Sequence, residues 1–175
     1  MDNHTRIVSE ARARAENAPP KAYFAYSTIL DPHAFGEWKS AHGYDDFVLP
    51  PGELGEAIDL ALVFDFPSRF WGGRVAGLSP APGKRLWGRL FEIAGRDWPV
   101  IEHKEGAVTG MCVEKPVRVR LSDGRVIDAI AFTTAPARAS TDGPISQGFV
   151  RALIGGAAAA QLPLDYLAEL EQLKG

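Results

Sequence analysis

The stretch IEHKEG, residues 101–106, crowds two carboxylates, an imidazole and an ammonium ahead of a glycine. On composition alone it reads as an exposed helix end with Gly106 as its terminator. A second reading is open as well. A carboxylate set against an apolar wall has its pKa raised by desolvation, and becomes a general base able to work near neutrality. Other chemistries find no support. His4, His33, His42 and His103 are scattered, Cys112 is the single cysteine, and neither HxxxH nor CxxC occurs, so no metal site is expected. The hydrolase elbow GxSxG is absent. GLSPAPGKR (77–85) is no phosphate loop: five residues separate Gly77 from Gly83, Arg85 follows the lysine, and two prolines remove backbone donors.

Elsewhere, FWGG (70–73) reads as a tight loop packed under Trp71. His103, beside charged neighbours, reads as a solvated side chain with an alternative role in proton transfer. Arg74 and Arg89 have the fork geometry to meet a substrate carboxylate, but on strands they read first as solvated surface residues.

The elements that must position these groups follow from pattern. The chain has 175 residues, 46% hydrophobic and 23% charged, enough for one domain with a real core. A net charge of −3 argues against nucleic-acid binding. One cysteine fits a reducing compartment, no apolar run is long enough to span a bilayer, and no signal peptide is visible. The expectation is a cytoplasmic protein, monomeric or homodimeric. Residues 1–20 form a helix or arm that Pro19-Pro20 ends, and the domain occupies 21–175.

YFAYSTIL (23–30) opens with a strand over Tyr23–Tyr26 buried on both faces, then turns polar at Ser27 and Thr28. A short helix and a loop are expected in 31–57. Strands are expected over Ala57–Phe66, Arg74–Leu78 and Leu86–Ile93, with PAPG (80–83) as a turn between the last two. Val117–Leu121 and Val126–Thr133 form a hairpin about Ser122-Asp123-Gly124. Ser146 caps a helix bearing Phe149, Leu153 and Ile154. Pro163 starts another, with Leu164, Leu167 and Leu170 on one face. Strands followed by helices give an α+β fold with a mixed or barrel-like sheet.

Five of these pieces, in order, resemble the γ-glutamylcyclotransferase family (the AIG2-like fold): YFAYSTIL, FWGG, the pair PAPG and LWG (86–88), EGAVTGM (105–111), and QLPLDYL (161–167). The likeness covers residues 23–173. It implies a barrel-like mixed sheet with flanking helices and a helical C-terminal segment. It also implies an enzyme acting on a small-molecule γ-glutamyl amide, whose own α-amine attacks its γ-carbonyl to release 5-oxoproline and a free amine without a cofactor.

By the same resemblance Glu105 is the catalytic base. Tyr23, Phe24, Ala25, Tyr26, Ser27 and Thr28 form the substrate-binding lip, joined by Phe149. The chain departs from the family pattern at that lip. Where the family reads Tyr-Gly-Ser-Asn-Leu, this chain has Ser27, Thr28 and Ile29. Phe149 stands for a substrate-contacting tyrosine, and Cys112 for another tyrosine; as a residue Cys112 reads as a small buried hydrophobe. These departures leave three readings. One is an active cyclotransferase with a shifted leaving group; the alternative is a catalytically inactive member that binds a γ-glutamyl-like or other amide; a third, different chemistry on a related amide or carboxylate, has no specific support in the sequence.

Overall fold

The computed structural model describes residues 2–175. The N-terminal helix α1 (Asn3–Arg14) begins where the Asp2 carboxylate accepts the Thr5 N–H at 2.8 Å. It buries Thr5 and Val8 and packs on the later helix α3 (Trp98–Lys104). Arg12 fastens it further, reaching Asp46 at 2.7 Å and Asp97 at 2.9 Å. Strand β1 (Lys21–Ala25) follows the two prolines. A single 3₁₀ turn at Thr28–Leu30 leads to α2 (Pro32–His42), which Asp31 caps and Gly43 ends. This is the short helix expected in 31–57.

β2 (Glu53–Ser68) and β3 (Gly73–Ile93) form one long antiparallel hairpin. The expected PAPG turn is corrected here: the two strands anticipated at 74–78 and 86–93 are one. The ladder passes from Ile58↔Arg85 to Leu60↔Pro80, so residues 81–84 bulge out opposite Asp59. The Asp59 side chain stabilises that bulge by accepting the Gly83 N–H at 2.7 Å. The bulge gives Pro82 a place where its missing N–H breaks no ladder. A second irregularity lies between Phe64 and Phe66, so Asp65 sits at a bend.

β4 (Cys112–Leu121) and β5 (Val126–Thr134) pair as the expected hairpin. The sheet closes into a barrel in the order β1-β3-β2-β4-β5. β1 runs antiparallel to β3 and parallel to β5 through Tyr23↔Ile130. Phe24, Ala57, Val119 and Ala131 are wholly buried. In α4 (Gln147–Ala159), the Ser146 hydroxyl accepts the Phe149 N–H at 3.1 Å. α4 rests on the 3₁₀ turn after β1, and its Gly156 is close to the Asp31 backbone. α5 (Leu164–Glu171) follows Pro163 and buries Tyr166 and Leu170; Leu164, expected on its packed face, is exposed instead.

The barrel wall is tightest beside β1. A Cβ on Gly88 would fall 2.3 Å from the Ala25 carbonyl oxygen and 2.6 Å from the Phe24 ring. Backbone cannot yield as a side-chain tip can, so overpacking here must move β1 or β3. Gly88→Val should destabilise the fold by about 1–3 kcal/mol, read as a lower urea midpoint. An unchanged midpoint would show that this contact does not constrain the wall.

Candidate active site

Helix α3 ends in the IEHKEG stretch. Val100 and Ile101 are wholly buried and seat it against the core. Gly106, at φ +82°, stops it, since a left-handed conformation suits only glycine readily. The chain then folds back, with Ala107 N–H donating to the Glu102 carbonyl at 2.8 Å and Met111 N–H to that of Gly106 at 2.9 Å. Gly106 thus terminates the helix as expected, but the end is not exposed. Glu105, the last residue before the glycine, is half-buried and turned inward.

Across from it stands Tyr23 of β1. Its ring is held edge-on by Trp98 and Phe132, and packs on Phe91. Its hydroxyl donates a short hydrogen bond to Glu105 Oε1. Burial, the Glu105 charge and that bond all push the Tyr23 phenol well above its ordinary pKa, so it remains a donor. Glu105 is raised above the ordinary glutamate value, chiefly by burial, while the neighbouring Lys104 charge and the Tyr23 bond pull the other way. Lys104 itself is lowered, because burial disfavours its charge more than Glu105 supports it. A carboxylate with one oxygen fixed and a raised pKa is suited to accept a proton on the other.

The remaining lip residues fall into two groups. Tyr26 is buried and donates to the Phe132 carbonyl at 2.5 Å; burial, and next the Glu105 charge, push its phenol well above the ordinary value. Ser27 and Thr28 are half-exposed at the turn beyond it. Ser27 has φ −131°, an extended conformation open to any residue, so serine at the family's glycine position carries no backbone strain. Phe24 and Ala25 are buried in the barrel wall. Ile29 is buried too, on the α2 side of the turn. Phe149 is buried at the start of α4 with its ring against Phe64 and Trp71.

Several groups around Tyr26 were not singled out as site residues from the sequence. The Cys112 thiol, half-buried, is pushed up to about 12 by burial and by the Glu105 and Asp65 charges. It is therefore a neutral wall group, in keeping with the hydrophobe expected there. Asp65, at the β2 bend, accepts from the Thr134 hydroxyl at 2.6 Å. Its one sequence signal is a charge inside the apolar run AIDLALVFDF. Tyr166, within QLPLDYL, is buried with its hydroxyl unpartnered among the described residues.

Three surface assignments are corrected. His103 is buried, not solvated: Tyr44 shares a 2.8 Å hydrogen bond with its Nδ1, and Trp38, His42 and His4 surround the ring. Arg74 donates to the Phe64 and Gly143 carbonyls, and Arg89 to those of Gly52 and Ala160. Among the described residues no group of three or more His, Cys, Asp or Glu is placed to hold a metal.

This geometry can be set beside known proteins. The sequence pattern of the AIG2-like family matches residues 85–170, a span that includes Glu105, Phe149 and Tyr166. Over that span this chain is similar to the AIG2-like family, and the relatives it resembles carry the name gamma-glutamylcyclotransferase. A gamma-glutamylcyclotransferase from Bos taurus is 24% identical over 166 residues, 92% of this chain and 82% of that protein. One from Homo sapiens is 24% identical over 107 residues, 61% of this chain and 55% of that protein, so the match spans little more than half of that relative. A solved gamma-glutamyl cyclotransferase superposes with a TM-score of 0.70 at 21% identity, covering 87% of this chain and 86% of that one. At that identity the superposition establishes the γ-glutamylcyclotransferase fold: a closed five-stranded barrel with flanking helices.

The Glu105 environment has a stability consequence. A carboxyl whose pKa is raised on folding supports the folded state below its unfolded pKa, and loses that support as pH rises through the folded value. Above that value the protein buries a charge. Glu105→Gln keeps an acceptor for Tyr23 without the charge. It should raise the melting temperature by a few degrees at about pH 8, with the gain gone by about pH 4. An equal effect at both pH values would mean that Glu105 titrates normally.

Proposed function

We propose that this protein is a γ-glutamyl cyclotransferase. The observation that carries the reading is Glu105: a half-buried, raised-pKa carboxylate turned inward, with one oxygen held by Tyr23 of the lip strand. A relative of this family named gamma-glutamylcyclotransferase aligns over most of the chain, which supports the same reaction class.

The substrate's α-ammonium gives a proton to the free oxygen of Glu105. An α-amine has an ordinary pKa of about 7.7–8.0, so a base with a raised pKa removes this proton with less mismatch than an exposed glutamate would. The neutral amine then attacks the γ-carbonyl carbon, closing a five-membered ring. Holding amine and carbonyl together makes this step effectively unimolecular. The tetrahedral oxyanion needs preorganised donors. In the 3₁₀ turn the Leu30 and Asp31 N–H groups close onto the Ser27 and Thr28 carbonyls. The opening N–H groups, at Thr28 and Ile29, have no partner inside the turn and are the natural donors. The attacking nitrogen, left with one proton more than an amide holds, releases it to solvent; collapse then breaks the γ-carbon–nitrogen bond, and Glu105 returns its proton to the departing amine. The products are 5-oxoproline and a free amine. The step needs neither oxidant nor cofactor.

The substitutions at the lip bear on the substrate and not on the base. Ser27 adds a hydroxyl without strain, and Phe149 keeps a ring but no hydroxyl. Tyr166 has a buried hydroxyl free to bond a ligand.

The test is 5-oxoproline release from a panel of γ-glutamyl amines, γ-glutamyl dipeptides and glutathione. At least one member should react, and Glu105→Gln should lower kcat/KM by about 10²–10⁴. Tyr23→Phe removes a bond that lowers the Glu105 pKa, so the acid limb of its pH–rate profile should move to higher pH. No release from the whole panel, or release that survives Glu105→Gln, would overturn the reading.

A further inference from the structure

A cleft of about 410 Å³ opens beside the 3₁₀ turn, between α2, the start of β2, β3 and the end of α4. Ile29, Phe35, Leu49 and Phe91 form its apolar wall. Glu105 is not among the residues that line it. Phe91 packs on Tyr23, so the cleft is next to the candidate active site but behind its aromatic wall. Two charged side chains line it, Lys39 and Arg89, and no carboxylate does.

Both cations are half-buried and lack acidic partners. Arg89 uses three of its five N–H groups on the Ala160 and Gly52 carbonyls, at 2.7–3.0 Å. Lys39 uses one of three, on the Phe47 carbonyl at 2.6 Å. Neither makes an ion pair, whereas Arg12, Arg85, Arg96 and Arg125 all do. Two partly desolvated cations held by main-chain oxygens, with donors to spare and an apolar wall between them, fit one ligand chemistry: a compact apolar body ending in a carboxylate. The guanidinium supplies charge-assisted hydrogen bonds and the wall supplies burial. The volume falls within the ordinary range of small-molecule sites, roughly 300–1,000 Å³.

We infer that this cleft is a second ligand site, separate from Glu105, that takes a small amphipathic carboxylate. Gly36 of α2 provides a clean block. A Cβ there meets nothing within 4 Å, so the Gly36→Leu side chain starts from open space at the cleft.

The experiment is calorimetric titration of the full chain with octanoate and 4-phenylbutyrate, against octanol and octylamine as uncharged and cationic counterparts. The carboxylates should bind saturably with one-to-one stoichiometry, about tenfold or more tighter than octanol, and octylamine should not bind. Gly36→Leu and Lys39→Gln should each weaken octanoate about tenfold or more while melting as the parent does, and Glu105→Gln should leave it unchanged. If Gly36→Leu fails to fold, Lys39→Gln with the octanol comparison decides alone. Equal affinity for octanol and octanoate would overturn the inference. So would insensitivity to Lys39→Gln, or loss of binding in Glu105→Gln, which would move the ligand to the active site. Concentration-dependent self-association abolished by Gly36→Leu, with no carboxylate binding, would overturn it as well and make the cleft a contact between copies.

Discussion

One hydrogen bond ties the candidate chemistry to the fold: the Tyr23 hydroxyl donating to Glu105. It links the first strand of the barrel to the end of α3, elements far apart in sequence. Each partner depends on the other. Tyr23 is a buried phenol that needs an acceptor, and Glu105 is an inward-turned, half-buried carboxylate that needs a donor. Desolvation still outweighs the bond, so the carboxyl remains more basic than an exposed glutamate. That imbalance suits Glu105 to the proposed role of base, and it makes the ionised form a burden on stability.

The barrel exists, in this view, to hold that pair. Closure through Tyr23↔Ile130 fixes where β1 ends, and the close approach at Gly88 fixes how near it comes to β3. Trp98 and Phe132 leave the Tyr23 ring little freedom. On the other side, the buried Val100 and Ile101 anchor α3, and Gly106 stops it so that Glu105 is its last side chain. The turn at Thr28–Leu30 then rests on α4, whose capped first turn carries Phe149. The residues proposed to recognise substrate thereby sit on packed elements and not on a long loop.

Much of this was legible in the sequence. Local signals carried the hairpin at 117–133, the Ser146 cap, the Pro163 restart and the Gly106 stop, because each depends on a residue acting on its own backbone. PAPG misled for the same reason: its residues say that the chain departs from regular pairing, but a reversal and a bulge use the same residue types. Which one occurs depends on whether residues 74–80 find β2, a long-range fact. His103 and Arg89 looked like surface residues because charge usually means solvent. Their burial depends on partners far away in sequence, Tyr44 for one and the Gly52 and Ala160 carbonyls for the other. Asp65 offered only a charge inside an apolar run, and Tyr166 only its place in QLPLDYL. The pairing of Tyr23 with Glu105 could not be read from either motif alone; only the closed barrel brings the two together.

The most direct test of this account is to titrate the Glu105 carboxyl itself, by carboxyl carbon NMR or infrared difference spectroscopy of the protein against Glu105→Gln. The account predicts a single carboxyl titrating clearly above the ordinary glutamate range, its midpoint moving higher still in Tyr23→Phe. A Glu105 that titrates at or below the ordinary value, with no response to Tyr23→Phe, would contradict it.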